Sequence, residues 1–281
     1  MRESKSILYV VATPIGNLGD ISARASGILR DAGAIAAEDT RITRRLLEHL
    51  GISARLIALH EHNEERAARA VLDILAGGAN VALVSDAGTP AISDPGARVV
   101  ALAREAGYAV SPIPGANAAA AAVSVSGFLS PHFLFYGFLP ARAGARRQAL
   151  AELAELPYTL VFYEAPHRVL DSVADLAAAF GAERRILIAR ELTKLFEETH
   201  VRALGDAGAW FAADANREKG EFVLAVEGVA AREAARGDIE KTLAALLEEL
   251  PLKQAVALAV KITGASRNEL YERALKMKRE T

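Results

Sequence analysis

Short apolar runs alternate along this chain with segments of helical periodicity. "SILYVVA" precedes a helical pattern over Ser22–Ala32, stopped by Gly33, and "AIAAE" precedes one ending near Leu50, stopped by Gly51. "RLIALHE" leads into Glu64–Ala76, "NVALVSD" into Ala97–Ala106, and "YAVSPI" into "PGANAAAAAVSVSG". A Gly just past a helical stretch takes the left-handed backbone cheaply and ends the helix. Continuous apolar strands alternating with helices predict parallel sheets covered on both faces.

The pattern restarts after Gly127. "HFLFYGF", "YTLVFYEA", "RRILIARE", "FEETHVRAL" and "EFVLAVEG" read as strands, and a helix runs from near Pro166 to Phe180. The expected organisation is an N-terminal α/β domain over residues 1–117, a second over 118–235, and a small helical domain over 236–281. Both sheets are expected to be mostly parallel. "AAREAARGD" reads as the connector to the last domain. There, Lys253–Thr263 forms one helix, Gly264 and Ala265 a turn, and Ser266 with Glu269 a capping box opening a second helix. That spacing is helix-turn-helix-like.

Composition changes this picture little. The 281 residues carry a net charge of -2, so no global basic field advertises nucleic acid. From Leu252 onward, however, seven basic side chains face three acidic ones, a local +4. There are no cysteines, which removes disulfides and thiolate chemistry and suits a cytoplasmic protein. The N-terminal apolar run is too short for a signal peptide, and no run approaches a membrane span.

The loops that follow strands carry the candidate chemistry, because ligands of open parallel sheets sit beyond the strands' carboxyl ends. These are "TPIGN", "AEDTR", "HEHNE", "SDAGTPAISDPG" and "PGAN". The dinucleotide fingerprint, the Walker pattern and the G-x-S-x-G elbow are all absent. His60 and His62 form an H-x-H pair without an evident third ligand, so no metal is expected. What remains fits a zwitterionic ligand with apolar parts: Asp86 for an ammonium, Gly88 for close backbone approach, and "PGAN" for donors at a helix start.

The ordered set "LYVVATPIGNLGDIS", "AEDTRITRRLL", "SDAGTPAISDPG", "PGANAAAAAVSVSG", "FYGFLP", "FYEAPHRV" and "ARELTKLFEE" resembles the ribosomal RNA small subunit methyltransferase I family across nearly the whole chain. That family has the tetrapyrrole-methylase-like fold. The resemblance implies S-adenosylmethionine as cofactor, folded in a cleft between two α/β domains. It further implies 2′-O-methylation of a cytidine ribose in 16S ribosomal RNA at the decoding centre of the 30S subunit, and a homodimer. It places Ile15, Gly16, Asp86, Gly88, Thr89, Ala116, Asn117, Tyr163, Gly220, Glu221 and Phe222 at the cofactor.

For the chemistry, a base near the ribose hydroxyl would help, since that hydroxyl is a poor nucleophile at neutral pH. Glu38 and Asp39 are the carboxylates nearest a strand end, although Asp39 equally suits a helix cap. Lys194 either orients or deprotonates the hydroxyl, or pairs with Glu197 or Glu198. Arg41, His167, Arg168 and Arg190 are candidate RNA contacts, with Lys253, Arg267 and Lys276 in the basic tail. Two other readings remain open: a small-molecule, tetrapyrrole-type methylase on the same fold, and a non-catalytic RNA-binding protein using the tail alone. The tail disfavours the first and the polar loops disfavour the second.

Overall fold

The computed structural model describes residues 6–60, 63–229 and 231–280. Glu61 and His62 of the H-x-H stretch lie outside the described residues. The first sheet is built from β1 (Ile7–Val11), β2 (Ala34–Ala37), β3 (Leu56–Ala58), β4 (Val81–Val84) and β5 (Ala109–Ile113), in the order β3-β2-β4-β1-β5. Every pairing is parallel. Alternate residues go to opposite faces, as the pleat requires. Leu8, Ala36, Val81 and Leu83 pack under α3 (Glu64–Ala76) and α4 (Ala97–Glu105). Val11, Ile35, Ala82 and Val84 pack under α1 (Ala23–Asp31) and α2 (Thr40–His49). Ser22 caps α1, its hydroxyl accepting from the Ala25 N–H at 3.1 Å.

The second unit begins with α5 (Ala118–Val125), whose Ala119 and Ala122 pack on the second sheet rather than the first. That sheet holds β6 (Phe133–Phe138), β7 (Thr159–Glu164), β8 (Arg185–Arg190), β9 (Glu198–Ala203) and β10 (Phe222–Val226), in the order β6-β7-β10-β8-β9. Here the expectation of a mostly parallel sheet needs correction. Only β6 and β7 run parallel; β10 is antiparallel to both β7 and β8, and β8 to β9. All of β7, β8 and β10 is buried apart from Tyr163 and Arg185, so apolar runs alone cannot reveal strand direction. Leu160, Phe162, Ile188 and Leu224 pack against α6 (Ala143–Leu153), α7 (Val169–Phe180) and α8 (Leu204–Ala212).

The stretch read as a connector is helical instead, the first half of α9 (Ala231–Glu249). It packs with α10 (Leu252–Thr263) and α11 (Arg267–Glu280) around Leu243, Val256, Ala259, Leu270 and Ala274. Gly264 takes φ +69 at the turn between α10 and α11. The Ser266 hydroxyl accepts the Glu269 N–H at 3.2 Å, while the Glu269 carboxylate takes Arg273 at 2.6 Å.

Candidate active site

The parallel register of the first sheet brings its carboxyl ends to one rim, with Val10 opposite Leu83, Ala37 opposite Val84 and Val11 opposite Ile113. The second sheet reaches the same place differently. Because β10 runs backwards, its first residue, Phe222, sits opposite both Glu164 at the end of β7 and Arg190 at the end of β8. The antiparallel order is what carries "GEF" to the loops that follow β7 and β8.

These two rims enclose a cleft of about 410 Å³. The first unit contributes Ile15, Gly88, Thr89, Ile92, Asp94 and Asn117; the second contributes Phe138, Tyr163, Leu192, Glu221 and Phe222. The loop after β1 is tied to the loop after β4 by two backbone bonds, Thr13 N–H to Gly88 O at 2.8 Å and Gly88 N–H to Thr13 O at 3.0 Å. Gly88 has φ +78, and a Cβ there would meet Ile15 Cγ2 at 3.4 Å and the Ala116 carbonyl at 3.7 Å. Among the described residues, four other than glycine also hold positive φ, namely Ala91, Ser93, Glu191 and Thr193, and all lie in the two loops flanking the cleft. Such backbone persists only where the surroundings over-determine it, and it concentrates at functional loops.

Of the residues expected at a cofactor, Ile15, Gly88, Thr89, Asn117, Tyr163, Glu221 and Phe222 line this cleft. Ala116, Gly16 and Gly220 stand behind its lining. The Ala116 carbonyl accepts from the Thr89 hydroxyl at 3.2 Å. Gly16 lies under the Lys194 side chain and Gly220 under that of Glu191, and a Cβ at either position would collide with its cover. Asn117 also caps α5, its Oδ1 accepting the Ala120 N–H at 3.0 Å.

Asp86, expected at the cofactor, does not line this cleft. Its Oδ1 accepts the Asp39 N–H at 2.8 Å, and it lines a separate, smaller cavity with Thr13, Pro14 and Thr43. The carboxylate of this loop that does line the cleft is Asp94. Asp94, Ile92, Phe138 and Leu192 escaped the sequence reading. The only local signal was that "SDAGTPAISDPG" carries two Asp, and nothing in the string says which one faces inward.

Burial pushes the Asp94 carboxyl up, with the Ser85 hydroxyl opposing and the charge of Asp86 adding to the rise. Burial, followed by the charge of Asp94, likewise pushes Glu38 up. Its Oε2 accepts the Asp86 N–H at 3.4 Å. Asp39 differs. It caps α2 through the Arg41 N–H at 2.8 Å, and its side chain grips the Arg41 guanidinium at 2.6 Å. Those Arg41 bonds hold its carboxyl down at about 2. Burial also pushes Tyr163 up, against a hydrogen bond from the Ala119 backbone.

Lys194 does not fit a base. Burial pulls its pKa down, but hydrogen bonds to Glu191 and Glu221, both at 2.8 Å, outweigh that and leave it above the ordinary lysine value. Its partners are Glu191 and Glu221 rather than Glu197 or Glu198. It is a fixed ammonium whose stem bridges from the second unit to Gly16 of the first.

Two of the RNA candidates are largely turned into the fold. The Arg190 side chain is only 9% exposed and donates to the carbonyls of Lys219 and Phe196. Arg168 pairs with the buried Glu164 at 3.2 Å and donates to the Leu139 carbonyl. Each turns at least one guanidinium donor inward, Arg168 to Leu139 and Arg190 to Lys219 and Phe196. His167 is exposed at the start of α7, and Arg41 is exposed although paired with Asp39. Lys253 and Arg267 meet at a groove between α10 and α11 that Tyr271 also lines, and Lys276 is exposed further along α11. Among the described residues no group of three His, Cys, Asp or Glu is placed to hold a metal, and no helix is long and apolar enough to cross a membrane.

Residues 7–208 match the family of Tetrapyrrole (Corrin/Porphyrin) Methylases, and residues 230–278 match the RsmI C-terminal HTH domain. The Ribosomal RNA small subunit methyltransferase I of Escherichia coli O157:H7 is 51% identical over 273 residues, covering 97% of this chain and 96% of that protein. The protein of the same name from Pseudomonas aeruginosa is 50% identical over 275 residues, covering 97% and 98%. The chain belongs to the ribosomal RNA small subunit methyltransferase I family. Among solved structures, a cobalt precorrin-4 methyltransferase of cobalamin biosynthesis superposes with a TM-score of 0.61 at 17% identity, covering 80% of this chain and 96% of that one. At that identity the likeness is one of fold.

Proposed function

We propose that this protein transfers a methyl group from S-adenosylmethionine to the ribose 2′-hydroxyl of a cytidine in 16S ribosomal RNA. The observation that carries the reading is the cleft between the two α/β units of a chain that spans 96% of its Escherichia coli relative in this family. Its chemistry suits the cofactor. Asp94 offers a carboxylate for the methionine ammonium, Gly88 leaves room for backbone approach, and Ile15, Ile92, Phe138 and Leu192 give apolar walls for the adenosine. When bound, the cofactor supplies a methyl already activated on a sulfonium.

The chain's own residues then align and deprotonate. The doubly tied Thr13–Gly88 loops hold the methyl donor's side of the cleft in one geometry, and positioning of this kind supplies much of the barrier reduction. Of the three side chains considered as base, Asp39 is committed to Arg41 and the α2 cap, and Lys194 is held as an ammonium. Glu38 remains. It stands at the end of β2 with its Oε2 accepting the Asp86 N–H at 3.4 Å, and burial with the charge of Asp94 raises its carboxyl, the direction that favours a base. The exposed Lys253, Arg267 and Lys276 of the helical domain engage RNA phosphates.

The reading extends to an assembled 30S subunit as substrate, a cytoplasmic setting and a homodimer. The dimer is supported by large apolar side chains left in solvent: Leu129 is 93% exposed, Leu195 89% and Phe196 66%. Labelled cofactor offered with 30S particles, naked 16S RNA and uroporphyrinogen in parallel tests the whole. Label is expected in the RNA of one or both ribosomal substrates. Label in the porphyrinoid alone would return the small-molecule reading.

A further inference from the structure

Beside the cleft lies the smaller cavity, of about 270 Å³, that the methyl transfer as described leaves unused. It opens beyond the carboxyl ends of β1, β2 and β4, and the tied pair Thr13–Gly88 separates it from the cleft. The separation is thin. Pro14 and Asp86 line the cavity, and their chain neighbours Ile15 and Ala87 line the cleft.

Its walls are apolar: Pro14, Leu18 and Ile42, the last two 43% and 42% exposed at its mouth. Its polar groups are specific. Thr43 is 3% exposed, and its Oγ1 has no hydrogen-bond partner among the described residues. A buried hydroxyl left unpaired costs free energy; this one is closed off from solvent, so a turn of the Thr43 side chain toward the cavity would let a ligand atom complete it. The second group is Asp86. One carboxylate oxygen takes the Asp39 N–H, and the other has no hydrogen bond among the described residues. A carboxylate only accepts, so it selects a donor. Arg45 also lines it, and Arg41 and Arg44 are exposed on the same helix, α2.

We infer that this cavity receives the base of the target nucleotide, turned out of its RNA stack, and that Asp86 reads the exocyclic amine of a cytosine while Thr43 bonds the base edge. The inference rests on the RNA reading above and names how that substrate is recognised. The volume is below that of sites for drug-sized ligands, about 300–1,000 Å³, and suits one base. Enzymes that do chemistry on a base extrude it, read its Watson–Crick edge by hydrogen bonds and hold its faces against apolar or aromatic side chains, and the same grip here would fix the position of the attached ribose. Acidic side chains accept from the cytosine N4 amine, whereas uracil presents a carbonyl that a carboxylate repels. With the base here, its ribose meets the edge of the cleft. Glu38, which accepts from the Asp86 N–H, stands next to the residue that reads the base.

The test is a specificity swap. Asp86→Asn keeps an oxygen for the Asp39 N–H and turns an amide N–H₂ toward the base. The parent should methylate 30S particles carrying the target cytidine on the order of a hundredfold faster than particles with uridine there. Asp86→Asn should shrink that preference to within a few-fold or reverse it, with cofactor affinity kept. Thr43→Val should raise KM for the RNA several-fold and leave cofactor affinity alone. Alongside, nuclear magnetic resonance titration of the parent with cytidine 5′-monophosphate should shift the Ile42, Thr43 and Asp86 amides, and uridine 5′-monophosphate should shift them less. This arm needs no turnover and decides the matter even if Asp86→Asn loses its fold or the parent transfers nothing to RNA. An undiminished cytidine preference in a cofactor-binding Asp86→Asn protein overturns the inference. So does a titration in which these amides stay still.

Discussion

Replacing Gly88 with Val separates the cleft from the fold that carries it. At φ +78 any other residue costs about 1–2 kcal/mol of backbone energy. For a domain of this size that amounts to a few degrees in Tm. The fold survives for a geometric reason. Both hydrogen bonds to Thr13 are backbone bonds, and the new Cβ meets nothing closer than 3.4 Å. The valine methyls reach further, into a space of about 410 Å³ shaped between Ile15 and the Ala116 carbonyl. Overfilling a formed site costs about 1–3 kcal/mol. In affinity that is a loss of roughly tenfold to a hundredfold. Titration calorimetry with S-adenosylmethionine reads this loss, and a melting curve confirms the fold. Gly88→Ala should show most of the drop in Tm and less of the drop in affinity. Parental affinity in a folded Gly88→Val protein would remove this loop from the cofactor site.

Three further outcomes are expected. Glu38 works as a base only when ionised, so the rate should fall as pH drops through its pKa, an acid limb raised from the ordinary glutamate value. Glu38→Gln should remove that limb and lower single-turnover rates by roughly a hundredfold, while Asp39→Asn should keep both the limb and the rate. Lys194→Met should leave the pH profile unchanged, because the ammonium paired with Glu191 and Glu221 does not titrate in the working range; a lost limb would make it the base after all. The double change Lys253→Ala with Arg267→Ala should raise KM for RNA and flatten its salt dependence by a slope of roughly one to two, read by binding at several salt concentrations.

Much of this was legible in the chain. Helix ends with a side-chain cap or a glycine stop fall where the string puts them: Ser22 and Asn117 accept the first free N–H groups, and Gly181 and Gly264 end their helices with positive φ. These are local effects of one residue on its neighbours. Strand direction in the second sheet is not local. The runs in β8 and β10 are buried on both faces and read alike whichever way they run. The choice between Asp86 and Asp94 depends on how the backbone turns at Ala91 and Ser93, two residues whose identities do not announce positive φ. Arg168 and Arg190 each have one partner far off in sequence, Leu139 for the first and Lys219 for the second, that the string does not announce, although Glu164 and Phe196 lie close by. The pairing of Lys194 with Glu221 and its rest on Gly16 are long-range in the same way.

The central claim is a ribose methyl on a cytidine, and the chemistry of RNA gives a direct reading of it. A 2′-O-methyl group removes the hydroxyl that alkali uses to cut the adjoining phosphodiester, so a labelled site survives alkaline digestion as a dinucleotide. RNA from 30S particles treated with the protein and methyl-labelled S-adenosylmethionine should yield its label in one alkali-resistant dinucleotide that begins with cytidine. Label released as a mononucleotide would put the methyl on a base, and a resistant dinucleotide beginning with another nucleoside would contradict the assignment of cytidine.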